Sequence, residues 1–429
     1  MLDFGRSDDA RVQAQLDRLS ALSVPQGRLG LETIRALMER LDNPHRKLPP
    51  VFHVAGTNGK GSVCAFLRTM LEADGKRVHV TTSPHLVRYN ERIRIAGDLI
   101  SDEELAETLK EVLDKGEDLA PSFFEVTIAA AFLAFSRTPA NACVVEVGLG
   151  GRFDATNVLE PDAVAACGIA ALGIDHERFL LAPEDGVPTE PIARIAFEKA
   201  GIAKPGVPLV TIANAYPLEA EAVIEGVADR LGAKHCNAYL SASGKTYVDG
   251  DGDLTLLPAS IPGAHQAQNA ALAAAMLRHQ SKLSVTDEAI IAGVAEAKWP
   301  ARLQRLSEGP LTAFASSGAV WLDGGHNPSA GSAIAEFFKG PLHLIIGMIA
   351  NKDANAITEP LGDRVESLTV VPVPGHDSHP AEAFGQDARA ATDLQDALLN
   401  IPCDDYPVLI AGSLYLAGEA LKLNDEIPT

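Results

Sequence analysis

The stretch "VFHVAGTNGKGSVCAFLRTM", Val51 to Met70, sets one lysine among three glycines, between an apolar run and a helical stripe. Gly56, Gly59 and Gly61 let the backbone turn tightly and aim successive N–H groups inward. The helix that follows adds the positive end of its dipole. Lys60 can then reach the terminal phosphates of a nucleotide, with Thr57, Asn58 and Ser62 completing the loop. The strict pattern GxxxxGK[ST] is not met, because Val54 replaces its first glycine and Gly61 separates Lys60 from Ser62. A glycine turn without a ligand is the alternative, although a lysine between three glycines has no packing reason to be there.

Three further residues invite chemistry. Glu146 interrupts the apolar run "ACVVEVG", where a carboxylate is costly unless it is paired or binds a metal. His176 closes "GIDH" at the expected C-terminal edge of a sheet, where open α/β sheets bind ligands; a satisfied turn histidine is the other reading. Lys199 in "FEKAGI" is either a helix lysine paired with an acid such as Glu198 or part of a site. "NKD", Asn351 to Asp353, hints at a guanine-specificity motif but lacks the residue that motif needs between lysine and aspartate.

These residues need elements to hold them. Helical spacing marks "RVQAQLDRLSAL" and "LGLETIRALMERLDNPH". Strand and helix signals then alternate. "PVFHVAG" is a strand, and Val63, Phe66, Leu67, Met70 and Leu71 form one helical stripe that Gly75 ends. "KRVHVTTS", "ACVVEVG" and "AVAACGIA" are further strands, and "SFFEVTIAAAFLAFS" is a buried helix. "SDEELAETLKEVLDKG" opens with the capping-box pair Ser101 and Glu104. The alternation predicts an α/β fold with a mostly parallel sheet covered by helices on both faces. A second alternating series follows Pro300, which predicts two domains, 1–298 and 299–429, the latter a smaller Rossmann-like unit.

Bulk composition agrees. A chain of 429 residues exceeds one ordinary core, and 46% hydrophobic with 22% charged residues suits a soluble globular enzyme. The net charge of -21 argues against nucleic-acid or anionic-membrane partners, though not against a small anion in a local basic pocket. The N-terminal stretch carries acids early and has no apolar core, and no run reaches membrane-spanning length. Five scattered cysteines without CxxC spacing favour a reduced, cytoplasmic setting. A monomer is expected.

"AGTNGKGSV" followed by "TTSPHLVRYNERIRI" resembles the folylpolyglutamate synthase and dihydrofolate synthase family, ATP-dependent amide-forming enzymes grouped with the Mur cell-wall ligases. The likeness continues in family order through "SFFEVT", "VVEVGLGGRFDATNV", "GIDH", "IAFEKAGI", "HQAQNAALA", "PARLQRL", "DGGHNP" and "AGSLYLAG". It implies that Ser83, Glu146 and His176 ligate the Mg²⁺ that bridges the ATP phosphates. It also implies that Lys199 is carbamylated by CO₂, giving an anion that supports a second Mg²⁺. Asn269 would sit by adenine, and Arg302 and Asp323 by phosphate or ribose. Arg92, His326 and Ser413 would bind glutamate, and Phe124 and Asp154 the pterin ring. The family's Gly-Arg-Leu reads Ala301-Arg302-Leu303 here. The pterin-side stretch near the N-terminus corresponds loosely to "PQGRLGLET". The segment "ERFLLAPEDGVPTEPIAR" is several residues longer than in the family, and its extra part is expected to loop outward.

The implied reaction joins L-glutamate to dihydropteroate, a reduced folate, or both, through an acyl phosphate. His326 is a candidate to take the amine proton. Two rivals are a Mur-type amino-acid ligase and, outside enzymes, a nucleotide-switched regulator. "SPHLVRYNERI" and "SFFEVT" favour the folate ligase.

Overall fold

The strand β1 (Val51–Ala55) is buried along its whole length, as a run flanked on both sides in a parallel sheet must be. The computed structural model that contains it describes residues 5–22, 30–174, 177–256, 259–315 and 318–429, the side chains of 177 and 178 excepted. The chain divides into two compact units. One comprises Met1–Ser260 with Ala267–Ala297, the other Ile261–Gln266 with Lys298–Thr429.

The first unit is built on a ten-stranded sheet. Besides β1 it holds β2 (Val78–Thr81), β3 (Ile93–Ile95), β4 (Asp98–Leu99), β5 (Ala142–Glu146), β6 (Val164–Ile169), β7 (Pro208–Ile212), β8 (Lys234–Leu240), β9 (Thr246–Val248) and β10 (Leu254–Thr255). Their order is β10-β9-β8-β7-β6-β1-β5-β2-β3-β4. The strands from β8 to β2 in that order run parallel, and antiparallel ribbons extend both edges. The chain leaves β1 toward β2 but leaves β5 back across β1 to β6, so the connections of these adjacent strands diverge. Such a reversal opens a crevice beyond the carboxyl ends of the strands. Register puts Val54 beside Glu146, Ala55 beside Ile169 and Thr81 beside Val145, so four loops start from one edge.

Helix Lys60–Ala73 packs the predicted stripe of Val63, Phe66, Leu67, Met70 and Leu71, all with no exposure. Each such side chain contributes about 1.5–3 kcal/mol on burial. The helix closes where Gly75, at φ +73°, donates to the Glu72 carbonyl and Lys76 to that of Leu71. Ser101 caps helix Asp102–Gly116 by accepting from the Glu104 amide at 3.2 Å; a reciprocal box with both bonds forms instead at Ser122 and Glu125, opening helix Phe123–Arg137.

The second unit carries a six-stranded sheet of β11 (Gln304–Arg305), β12 (Val320–Leu322), β13 (Leu342–Ile346), β14 (Val365–Val370), β15 (Arg389–Ala390) and β16 (Val408–Ala411). The order is β11-β12-β16-β13-β14-β15, with only β11 antiparallel to its neighbour. Leu344, Ile346 and Leu409 pack with Ile334, Ile357 and Leu361 into its core. No described helix in either unit is long and apolar enough to cross a membrane, and all five cysteines are free.

Candidate active site

The glycine loop follows β1 directly. Gly56 has φ +152°, and a Cβ there would lie 2.8 Å from the Ala170 Cβ, so only glycine lets the loop run this close to the end of β6. Gly59 has φ +85°, and a Cβ there would meet the Asn269 side-chain oxygen at 2.5 Å. The amides of Thr57 and Asn58 donate to the Ala171 carbonyl at 2.8 and 3.2 Å, and the Thr57 hydroxyl donates to Gly173. These two amides are therefore fastened to the loop after β6 rather than aimed inward, because that loop's carbonyl is the acceptor within reach. The amides of Lys60, Gly61 and Ser62 open the helix, where no intrahelical acceptor exists, and Gly59 supplies no side-chain cap.

Two lysines converge on one atom. Lys60 Nζ donates to the Gly56 carbonyl at 3.1 Å, and Lys199 Nζ donates to the same carbonyl at 2.9 Å. Lys199 is buried in the last turn of helix Pro191–Ala200. Glu198 does not fix it in place: that buried carboxylate binds Arg152 at 2.8 Å and Arg194 at 3.0 Å. Glu184 completes the cluster with contacts of 2.6 Å to Arg152 and 2.9 Å to Arg194. Leu180 is buried as well, so the long segment is strapped down at these two residues while much of 182–190 faces solvent.

Glu146 is buried at the end of β5, and its Oε2 accepts from the Ser83 amide at 3.1 Å. Burial of the Cys64 thiol pushes it well up, the Glu146 charge adds to the rise and Lys60 opposes it, so all three share one neighbourhood. A serine hydroxyl beside a buried carboxylate offers hard oxygen donors, which is the chemistry Mg²⁺ selects while keeping several waters. Among the described residues no three His, Cys, Asp or Glu form a metal cluster, and His176 lies outside the described residues. So do residues 25–29 of "PQGRLGLET".

Of the other first-unit candidates, Asp154 lies in the loop after β5, Phe124 opens helix Phe123–Arg137, and Arg92 ends the short turn Tyr89–Arg92 before β3. The Phe124 ring lies over Gly148, where a Cβ would sit 2.4 Å from its Cζ. Asp154 is buried, and its carboxylate accepts from the amides of Leu149 at 2.8 Å and Thr156 at 3.0 Å and from the Thr156 hydroxyl. Burial raises its pKa, and these donors oppose the rise. Arg92 is completely enclosed: its Nε donates to His85 Nδ1 at 2.8 Å and its guanidinium lies 5.5 Å from the Tyr89 ring and 5.4 Å from that of Phe123.

The second unit gathers its own set. Asp323, just past β12, accepts from Leu303 at 2.9 Å and from Gly325 at 2.7 Å, and Arg302 Nη1 donates to the Ala301 carbonyl at 2.9 Å. His326 Nδ1 lies 3.2 Å from the Gly324 carbonyl. A carbonyl only accepts, so Nδ1 carries a proton. Ser413, after β16, caps helix Leu414–Leu423 by accepting from Tyr415 at 3.1 Å, which leaves its hydroxyl proton available to donate. Gly412 donates to Gly325 at 3.1 Å and so draws the loops of Ser413 and His326 together.

Among curated proteins, the chain is 34% identical over 442 residues to a dihydrofolate synthase/folylpolyglutamate synthase of Bacillus subtilis (strain 168), covering 92% of this chain and 94% of that one. The chain belongs to the dihydrofolate synthase/folylpolyglutamate synthase family of ATP-dependent ligases. No protein-family model matches it. This synthase is also similar to a structure described as E. coli FolC in complex with DHPP and ADP, with 28% identity, TM-score 0.82, and coverage of 96% of this chain and 97% of that one. A bifunctional folylpolyglutamate synthase/dihydrofolate synthase with Mn, AMPPNP and L-glutamate bound is 30% identical, with TM-score 0.80 and the same two coverages.

Several residues around the synthase site escaped the reading of the sequence. The quartet of Arg152, Glu184, Arg194 and Glu198 carries only one local signal, the i,i+4 spacing of Arg194 and Glu198. Thr156 could have been suspected from its place two residues after Asp154, a spacing that suits a carboxylate capping its own turn. His53 shows as a histidine inside an apolar strand, although no sequence signal names its partner.

Proposed function

We propose that this chain joins L-glutamate to dihydropteroate, a reduced folate, or both, using ATP. The observation that carries the reading is the meeting of Lys60 and Lys199 on the Gly56 carbonyl, beside a helix start with unsatisfied amides. Two ammonium groups sharing one acceptor repel; an anion bound beside Lys60, or conversion of the Lys199 ammonium to a carbamate, relieves that repulsion. A nucleotide triphosphate is such an anion. Support comes from the relatives whose structures hold ADP, AMPPNP, Mn, L-glutamate and DHPP.

In this reading the acid substrate's carboxylate attacks the γ-phosphate, forming an acyl phosphate and ADP. The glutamate amine then attacks the acyl carbon, phosphate leaves, and an amide remains. Lys60 and the amides of Lys60, Gly61 and Ser62 hold the phosphates and offset charge growing on the transferred group. Gly56, Thr57, Asn58 and Gly59 shape that loop; Asn269 contacts adenine, and Arg302 and Asp323 contact phosphate or ribose. Ser83, Glu146 and His176 are the residues that would hold Mg²⁺, which when bound neutralises phosphate charge. Lys199, as a carbamate formed by amine attack on CO₂ with loss of a proton, would supply an oxygen ligand to a second ion.

Phe124 gives the pterin a flat face, and Asp154 gives it an acceptor. His326 takes the glutamate amine's proton on Nε2, and Ser413 donates to a glutamate carboxylate. Arg92 adds positive charge from its enclosed position. In functional terms, 1–298 is the ATP-binding domain and 299–429 the glutamate-ligase domain. We further read the protein as a monomer of a reducing, cytoplasmic compartment, with no nucleic-acid or membrane partner. ADP release with ATP and glutamate, with dihydropteroate, tetrahydrofolate or a sugar-peptide acid added in turn, tests this. Product masses should rise by one glutamate per turnover with the pterin acids alone. Turnover without any of these acids, or with the sugar peptide only, would refute it.

A further inference from the structure

We propose that His53 and Thr156 form a buried relay that positions Asp154, and through it the pterin end of the acid substrate; this rests on the reading of Asp154 as a pterin contact. His53 has no exposure, and its Nε2 lies 2.8 Å from the Thr156 hydroxyl oxygen. That hydroxyl is in turn hydrogen-bonded to Asp154 Oδ1. A hydroxyl carries one proton and a carboxylate only accepts, so Thr156 donates to Asp154 and accepts from His53. The imidazole proton is thereby fixed on Nε2, in agreement with an Nδ1 that has no partner.

The consequence falls on the two carboxylate oxygens. Oδ1 takes both the Thr156 amide and the Thr156 hydroxyl and is saturated. Oδ2 takes the Leu149 amide, and the Gly148 amide also donates to the carboxylate, on the side where the edge of the Phe124 ring approaches. The relay therefore fixes the plane in which the carboxylate faces the Gly148 loop and the Phe124 ring, and stops it from turning away.

His53 has no second use that competes with this one. Burial pushes its pKa down to about 3, so it stays neutral and serves as a single N–H donor. Its strand neighbours Phe52 and Val54 are apolar and fully buried, and an apolar side chain would suit position 53 if filling space were all that was needed.

The test is steady-state kinetics of the full chain with dihydropteroate and tetrahydrofolate, alongside melting curves. Thr156→Val should raise KM for the pterin acid about tenfold, the scale of one hydrogen bond to a charged group, and leave KM for ATP within about twofold. Thr156→Ser, which keeps the hydroxyl, should restore the parent value. His53→Leu should raise the same KM several-fold. A Thr156→Val enzyme with parental KM, or an equal loss toward ATP and acid, would overturn the relay if Asp154→Asn still raises the pterin KM. If Asp154→Asn leaves that KM unchanged, the pterin reading of Asp154 falls, and the relay's link to substrate falls with it.

Discussion

Lys199 Nζ and the Gly56 carbonyl lie 2.9 Å apart, across 143 positions of sequence, and tie the end of one helix to the first residue of the phosphate loop. Lys60 Nζ donates to the same oxygen at 3.1 Å. This contact explains how a buried lysine is tolerated here, because the carbonyl gives its nitrogen a hydrogen bond while Glu198 is engaged by two arginines.

Lys199→Ala removes the proposed carbamate along with that bond. Activity should fall by roughly a hundredfold or more, the scale at which lost charge stabilisation shows in kcat. Short carboxylic acids at millimolar concentration should restore part of it by occupying the vacated volume with an anion. No recovery with formate, acetate or propionate, from a variant that melts like the parent, would count against the carbamate.

Gly59→Ala acts on the same loop through backbone geometry. At φ +85° an L-residue costs about 1–2 kcal/mol, and the new Cβ would press on the Asn269 amide. Both effects should appear: a lowered melting temperature and weaker ADP binding by calorimetry. Parental ADP affinity would mean that the loop can take another shape and still grip the nucleotide.

How much of this was open to reading along the chain varies with range. The Gly56–Lys60 loop was legible because strand, turn and helix signals adjoin, and Glu146 was legible because a carboxylate inside an apolar strand stands out. The capping pair at Ser101 had the right types at the right spacing, yet Glu104 does not return the bond, whereas Ser122 and Glu125 do. Local pattern gives the opportunity for a cap, and side-chain packing decides it. The antiparallel ribbon of β9 and β10 went unread, since two short, half-exposed strands leave little period-two signal. The clamp on the long segment was beyond local reading altogether. Glu184 meets Arg152 only because the loop after β5 lies against helix Pro191–Ala200 and the segment before it.

That clamp predicts an asymmetry between its members. Arg152→Ala strips partners from Glu198, whose side chain is 6% exposed, and from the more open Glu184. Breaking a buried pair from one side costs about 3–5 kcal/mol when the charge left behind is uncompensated. Because Arg194 still holds Glu198, the loss should fall toward the lower end. Glu184→Gln should cost less, about 1 kcal/mol, because Arg152 and Arg194 keep Glu198. Urea midpoints measure both, and equal losses would show that the strap rather than Glu198 governs the cluster.

Acid should loosen the first unit through its buried histidines. In the unfolded chain His53 titrates near its ordinary value of 6.5, whereas in the folded chain burial holds it at about 3. Between those two values the unfolded state binds more protons, so stability is whole above pH 6.5 and declines as pH falls toward 3. One such group gives a limiting slope of about 1.4 kcal/mol per pH unit. His45 and His79 are lowered for the same reason of burial and act in the same direction. Protonating His79 also sacrifices the bond its Nδ1 accepts from Ala96 at 3.0 Å. Asp154, raised by burial, works the other way near the carboxylate range and offsets part of the loss there. Urea unfolding at pH 7.5, 6.5 and 5.5 should therefore show falling stability, and His53→Leu should flatten the decline by about one proton's worth. If the variant and the parent lose stability along the same slope, His53 is not the neutral, enclosed donor that its hydrogen bond to Thr156 requires.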